Sequence, residues 1–102
     1  MSTLNIVNKS PFEKRSLDQC LARIGSDDAV LLIEDAVVVA MAGTRYESDL
    51  KSAAAAKKLY VLTPDVEARG LADKPVVEGF TQVDYKGFVA LVTEHDRVHS
   101  WL

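Results

Sequence analysis

A chain of 102 residues, of which 48% are hydrophobic and 26% are charged, can bury one core and has the composition of an ordinary globular domain. We therefore expect a single domain over residues 1–102. The net charge is −3 and no basic run is longer than Lys57-Lys58, which argues against a surface that binds nucleic acid directly.

The cysteine content and the apolar segments point to a cytoplasmic protein. The single cysteine, Cys20, cannot form an internal disulfide, and an unpaired thiol is most common in a reducing compartment. The N-terminal residues show no basic leader followed by an apolar segment. The longest apolar region, 29–42, is interrupted by Glu34 and Asp35 and is shorter than the roughly 20 residues that span a bilayer. No membrane segment is expected.

The first third of the chain predicts a strand, a helix and a second strand. The apolar stretch Leu4–Val7 is typical of a short strand that enters a polar loop. A helix follows, beginning at Ser10 or Ser16, each of which opens a capping-box spacing, and ending at Gly25. The continuous apolar run at 29–33 then indicates a strand that is covered on both faces, as in a parallel sheet.

The segment A-V-V-V-A-M-A-G that follows is ambiguous. Its three valines favour a strand, whereas Asp35 as N-cap and Gly43 as a C-terminal glycine favour a short buried helix, which we prefer. Thr44 and Glu47 have the spacing of another capping box and predict a helix that runs to about residue 56.

Strand and helix signals alternate in the second half as well. The run L-Y-V-L at 59–62 predicts a third strand, and Thr63-Pro64 starts a helix that Gly70 ends. A short fourth strand is expected within T-Q-V-D at 81–84. Asp84 can then cap a last helix with an apolar face, and residues 97–102 can form a final strand.

This alternation predicts a three-layer, flavodoxin-like α/β sandwich with a mostly parallel sheet of four or five strands. Ligands of such sheets bind at the carboxyl ends of the strands, where the loops N-K-S-P-F, E-D-A and T-P-D lie. None of these loops has the glycines of a phosphate cradle, and the first loop lacks the acidic cluster of a cation site. Glu34 and Asp35 are adjacent and are expected to point in different directions, which favours a helix-capping and turn role for them. His95 and His99 are four apart, but no other ligand completes a metal site. We expect neither a cofactor nor a metal.

Two residues are candidates for a functional role. In S-L-D-Q-C-L-A-R-I, residues 16–24, Cys20 shares one helical face with apolar residues, so that it can fill the core or carry chemistry. Trp101 is one residue from the C-terminus. Because an indole is costly to leave exposed, we expect Trp101 to be buried in the domain or in a subunit contact.

Several segments resemble the DsrH/TusB family of sulfur-relay subunits, in order and over nearly the whole chain. They are V-N-K-S-P-F at 7–12, L-L-I-E-D-A-V-V-V-A-M-A-G at 31–43, K-L-Y-V-L-T-P-D-V-E-A-R-G-L at 58–71, V-D-Y-K-G-F-V-A-L-V at 83–92, and the ending H-S-W-L. The strand followed by A-R-G-L and the D-Y-x-x-F-V element are the most distinctive.

The resemblance implies a small α/β subunit that joins DsrE/TusD-like and DsrF/TusC-like partners in a heterohexamer with two copies of each. Such a complex passes sulfane sulfur as a cysteine persulfide, and the principal sulfur-accepting cysteine lies on the DsrE/TusD-type subunit. The Dsr branch serves cytoplasmic sulfur oxidation and exchanges sulfur with a DsrC/TusE-like carrier. The Tus branch supplies 2-thiolation of the wobble uridine in tRNA.

Cys20 assigns the chain to a branch, because DsrH-type members carry a cysteine at this position and TusB-type members commonly lack it. The leading expectation is therefore a DsrH-like accessory subunit in sulfur oxidation, with Cys20 as a candidate persulfide-carrying residue. The start of the helix and the nearby Lys14, Arg15 and Arg23 would favour its thiolate, whereas burial would oppose it. The alternatives are a TusB-type subunit and a purely structural subunit without sulfur chemistry.

Overall fold

The computed structural model describes residues 2–12 and 14–101. Within these residues, five strands alternate with four α-helices and one 3₁₀ helix. In chain order the elements are β1 (Thr3–Val7), α1 (Ser16–Arg23), β2 (Ala29–Leu32), the 3₁₀ helix (Glu34–Ala40), α2 (Glu47–Ala54), β3 (Lys58–Leu62), α3 (Thr63–Ala68), β4 (Phe80–Val83), α4 (Tyr85–Glu94) and β5 (Arg97–Trp101). The described chain folds as one sheet with helices on both faces.

The sheet has the strand order β4-β3-β2-β1-β5, and every pair of neighbouring strands is parallel. Val7 of β1 lies between Leu32 of β2 and Trp101 of β5. The predicted three-layer α/β sandwich with a parallel sheet is confirmed. The predicted last strand ends at Trp101, and Leu102 lies outside the described residues.

The handedness of the crossovers explains how the helices are divided between the two faces. From β1 to β4 the chain moves across the sheet in one direction, and right-handed crossovers keep the intervening helices on one face. The step from β4 to β5 runs in the opposite direction, so the same rule places α4 on the other face. Four helices therefore cover one face, whereas α4 covers the other by itself.

Two apolar clusters follow from this division. The larger one lies under α1, the 3₁₀ helix, α2 and α3, and its members are Val7, Leu17, Cys20, Val30, Leu32, Ala36, Val37, Val39, Ala40, Met41, Leu50, Leu59, Val61, Val66 and Val77. The smaller one lies under α4 and comprises Leu4, Ile6, Ala29, Leu31, Leu62 and Leu91. Burial of these side chains is the main term that stabilises the fold.

Two of the predicted N-cap residues are wrong. α1 begins at Ser16 with Arg15 at the N-cap position, so Ser16 is the first helical residue and not the cap. The short helix predicted after β2 is present, but it is a 3₁₀ helix that follows Ile33 rather than a helix capped by Asp35. β-branched valines fit poorly in a long α-helix, and a short 3₁₀ segment is the shape that the chain adopts instead.

The capping box predicted at Thr44 is also wrong in its position. α2 begins only at Glu47, and the Thr44 hydroxyl accepts a hydrogen bond from the Tyr46 N–H at 3.2 Å. The Glu47 carboxylate reaches back to the Gly43 N–H at 2.6 Å. This hydrogen bond, followed by the Lys51 ammonium, lowers the pKa of Glu47.

Two other starts are confirmed. α3 begins at Thr63 with Pro64 in its first turn, and Gly70 follows with a φ of +69° that a glycine adopts without strain. Asp84 caps α4 by accepting a hydrogen bond from the Gly87 N–H at 2.8 Å. None of the described helices is long and apolar enough to cross a membrane.

Candidate functional site

Cys20 lies in the second turn of α1 and faces the sheet. Its side chain is 0% exposed, and Leu17, one turn earlier on the same face, is 1% exposed. Leu21 and Ile24 are partly buried and pack against the same cluster. The predicted apolar stripe of α1 is therefore confirmed, and the sulfur atom lies inside it.

Burial determines the ionisation of this thiol. The pKa of Cys20 is raised from 9.0 to about 12, mainly by burial and in smaller part by the negative charge of Asp28, while the positive charge of Lys57 acts to lower it. The proximity of these two charges to Cys20 could not be predicted, because Lys57 is far away in the sequence and Asp28 lies beyond the end of α1. The thiol is protonated at neutral pH, and a protonated thiol is neither a nucleophile nor a metal ligand.

Asp28 stabilises the turn after α1 through its carboxylate. Its two carboxylate oxygens accept hydrogen bonds from the backbone N–H groups of Thr3 and Gly25, both at 2.9 Å. The side chain thus ties the turn after α1 to the first residue of β1. Both oxygens of the Asp28 carboxylate are therefore engaged by backbone N–H groups.

The acidic residues at the carboxyl end of the sheet are also held by structural contacts. Glu34 has a φ of +49°, and its N–H donates to the Asp65 carboxylate at 2.7 Å. Asp35 accepts two hydrogen bonds from Arg69, at 2.9 and 3.2 Å. These contacts fasten the 3₁₀ helix to α3, and within the described residues no group of three His, Cys, Asp or Glu side chains could hold a metal ion.

An aromatic cluster that no local sequence pattern indicated joins the loop after β1 to the start of α2. The rings of Phe12 and Tyr46 meet edge to face with centroids 5.4 Å apart, and the Arg45 guanidinium lies 5.1 Å from the Phe12 ring. The Tyr46 hydroxyl donates to the Pro11 carbonyl at 3.4 Å. The contacts stabilise a loop whose Phe12 is 48% exposed.

Trp101 is fixed to the domain by its indole. The indole N–H donates to the Asn5 side-chain oxygen at 3.0 Å, and the Asn5 amide group donates to the Ala29 carbonyl at 3.2 Å. His99 meets the indole edge to face at 4.9 Å. Trp101 is partly buried and packs against the larger cluster. The two histidines lie on different elements, since His95 follows α4 and His99 is within β5.

A groove of about 370 Å³ opens between the end of α1 and β5. Asn5 and Trp101 line it together with the charged or polar side chains Arg23, Arg97 and His99. It lies on the α1 face of the sheet, beside the end of α1. The groove therefore offers two guanidinium groups and an imidazole next to an indole.

Comparison with known proteins identifies the family. A family model described as "DsrH like protein" matches residues 9–98. The chain belongs to the DsrH/TusB family. Proteins of this family act in sulfur relays and work in multi-subunit complexes. The resemblance that the sequence segments indicated is thus confirmed over most of the chain.

The relatives and the structural neighbour agree with this assignment. The chain is 36% identical over 98 residues to Protein TusB of Pectobacterium parmentieri and 37% identical over 100 residues to Protein TusB of Photorhabdus laumondii. Each alignment covers 96% of this chain and 99% of the relative. The solved structure of the ychN protein from E. coli matches with a TM-score of 0.77 at 19% identity, covering 98% of this chain and 99% of that one. It shows the shared fold.

Proposed function

We propose that this chain is a TusB-type subunit of a cytoplasmic sulfur relay that supplies 2-thiolation of the wobble uridine in tRNA. The observation that carries the proposal is the end-to-end match to two proteins named TusB at 36% and 37% identity. The expectation of a DsrH-type subunit in sulfur oxidation depended on the presence of Cys20. The names of the relatives favour the thiolation branch, which was the alternative.

Within the relay, the chain supports a partner's cysteine instead of carrying sulfur itself. To become a persulfide, Cys20 would have to attack a sulfane sulfur as a thiolate that reaches the donor. Its side chain is 0% exposed and its pKa is raised to about 12. Both properties support the core-packing role. A persulfide on Cys20 would require a subunit contact that opens the stripe of α1.

The exposed face of α4 supports assembly with other subunits. Tyr85 and Val89 are 60% and 63% exposed, although both are large and apolar. They lie one turn apart on the only described helix that covers its face of the sheet. TusC-like and TusD-like subunits of the same fold, in a heterohexamer with this chain, are the partners that the family resemblance implies.

The experiment is a complementation of tRNA thiolation. A bacterial strain that lacks its own TusB receives this chain together with matched TusC-like and TusD-like subunits, and mass spectrometry of digested tRNA measures 2-thiouridine. We expect the chain to restore 2-thiouridine, and the Cys20→Ala variant to restore it to a similar level.

Two results would contradict this account. If the three subunits co-purify as a complex and 2-thiouridine remains absent, the thiolation branch is wrong. If Cys20→Ala co-purifies in the complex as well as the wild type does but loses thiolation, the core-packing role is wrong and Cys20 takes part in the transfer.

A further inference from the structure

Strand β5 is one of the two edge strands of the sheet and has β1 as its single neighbour among the described strands. Its side chains from Arg97 to Ser100 are exposed, and Val98, on the α4 side, is 45% exposed. Most contacts of β5 are with β1, and α1 supplies the next largest share. The outer edge of β5 and most of its side chains are therefore accessible in the described chain, whereas Trp101 packs against the larger cluster.

The outer edge of β5 offers unused backbone hydrogen-bonding groups. The Arg97 N–H donates to the Ser2 carbonyl at 3.2 Å, so Arg97 directs its backbone groups towards the β1 side. Residues of a strand alternate in the side to which their N–H and C=O groups point. Val98 and Ser100 consequently direct theirs outward, away from the sheet.

Apart from the charge of Arg97, the sequence of β5 lacks the usual means of blocking an edge. Natural edge strands carry prolines, lysines, bulges or a covering helix, which prevent other chains from pairing with them. R-V-H-S-W contains neither proline nor lysine, and its five residues pair with β1 in one unbroken register. An edge of this kind is suited to accept another strand.

The charges next to this edge determine which kind of added strand fits it. Arg23 of α1 and Arg97 of β5 line the groove on the α1 side, and His99 lies between Arg97 and Trp101 on the same face of the strand. The Asp28 carboxylate also lines this groove, but it is held by two backbone N–H groups. The opposite face of β5 presents the apolar Val98.

We propose that the outer edge of β5 binds an extended protein segment as an added strand. Main-chain hydrogen bonds to Val98 and Ser100 hold the segment, and the two faces of β5 read its alternating side chains. Acidic side chains lie towards Arg23 and Arg97, and apolar side chains lie towards Val98. The proposal does not depend on the sulfur chemistry.

Trp101 provides a built-in signal for the test, since it is the only tryptophan in the chain and belongs to β5. The full chain is titrated with an acetylated and amidated seven-residue peptide in which glutamate and valine alternate, and tryptophan emission is recorded. We expect a saturable change. A peptide that alternates lysine with valine should bind at least about tenfold more weakly, because like charges then face each other.

Substitutions at Ser100 and at the two arginines separate backbone pairing from charge. Ser100→Pro removes an outward N–H but leaves the hydrogen bonds to β1, since proline is tolerated at such edge positions. It should abolish binding, while the matched control Ser100→Ala should bind like the wild type. Arg97→Glu, and separately Arg23→Glu, should lower the affinity for the acidic peptide. Circular dichroism and urea unfolding verify that each variant is folded.

Three results would overturn the proposal. The first is a folded Ser100→Pro variant that binds the acidic peptide as well as Ser100→Ala does. The second is equal affinity for the acidic and the basic peptide. The third is self-association, seen by sedimentation velocity, that Ser100→Pro abolishes and the acidic peptide fails to compete with, since the edge would then belong to a second copy of the chain.

Discussion

Helix α1 and strand β5 both pack against β1, yet they place their side chains in opposite environments. α1 inserts Leu17 and Cys20 into the larger cluster, whereas β5 leaves four of its five residues exposed. The cysteine is therefore inaccessible, whereas the accessible strand carries charged side chains and outward-facing backbone groups but no thiol. This difference supports the proposal that the chain recognises partners and leaves sulfur transfer to a partner's cysteine.

The largest expected difference between the two regions is in stability. Leu17→Ala removes a side chain that is 1% exposed and leaves a cavity, so it should lower the free energy of unfolding by about 3 kcal/mol. Val98→Ala on β5 should lower it by less than about 1 kcal/mol. Urea unfolding of both variants measures the two losses of unfolding free energy. Equal losses would contradict the contrast between a packed α1 and an open β5.

A smaller effect is expected at alkaline pH. The unfolded chain releases the Cys20 proton near pH 9, whereas burial keeps the folded pKa at about 12. Between these values the folded state holds more protons, so stability is full below pH 9 and falls as the pH rises. From pH 8 to 10.5 the wild type should lose about 2 kcal/mol more than Cys20→Ala. Parallel pH profiles of the two proteins would contradict the burial of the thiol.

Local patterns predicted the elements well, because they depend on neighbouring residues. The predicted apolar stripe of α1 and the predicted cap at Asp84 are both confirmed. Each depends only on residues within one helix or next to it, namely on i, i+3, i+4 spacing and on a side chain that reaches the first turn of its own helix. Ser16 and Thr44 also have capping spacings, but the residues at the N-cap positions are Arg15 and Tyr46. A capping-box spacing in a sequence therefore indicates the region in which a helix begins, but not the residue at its N-cap.

Contacts between distant segments could not be predicted. The pairing of β5 with β1 joins the two ends of the described chain, and no local pattern specifies it. The charge of Lys57 on Cys20, and the hydrogen bond between Trp101 and Asn5, exist only in the folded chain. For this reason the sequence left open whether Cys20 packs or reacts, and whether Trp101 is buried in the domain or in an interface.

The mass of this chain within the loaded complex tests the central claim most directly. The complex with its TusC-like and TusD-like partners is exposed to a persulfide donor, and each chain is weighed under non-reducing conditions. We predict that the TusD-like subunit gains a sulfur atom and that this chain remains unmodified. A gain of one sulfur atom on this chain, absent in Cys20→Ser, would contradict the claim that Cys20 is a buried core residue.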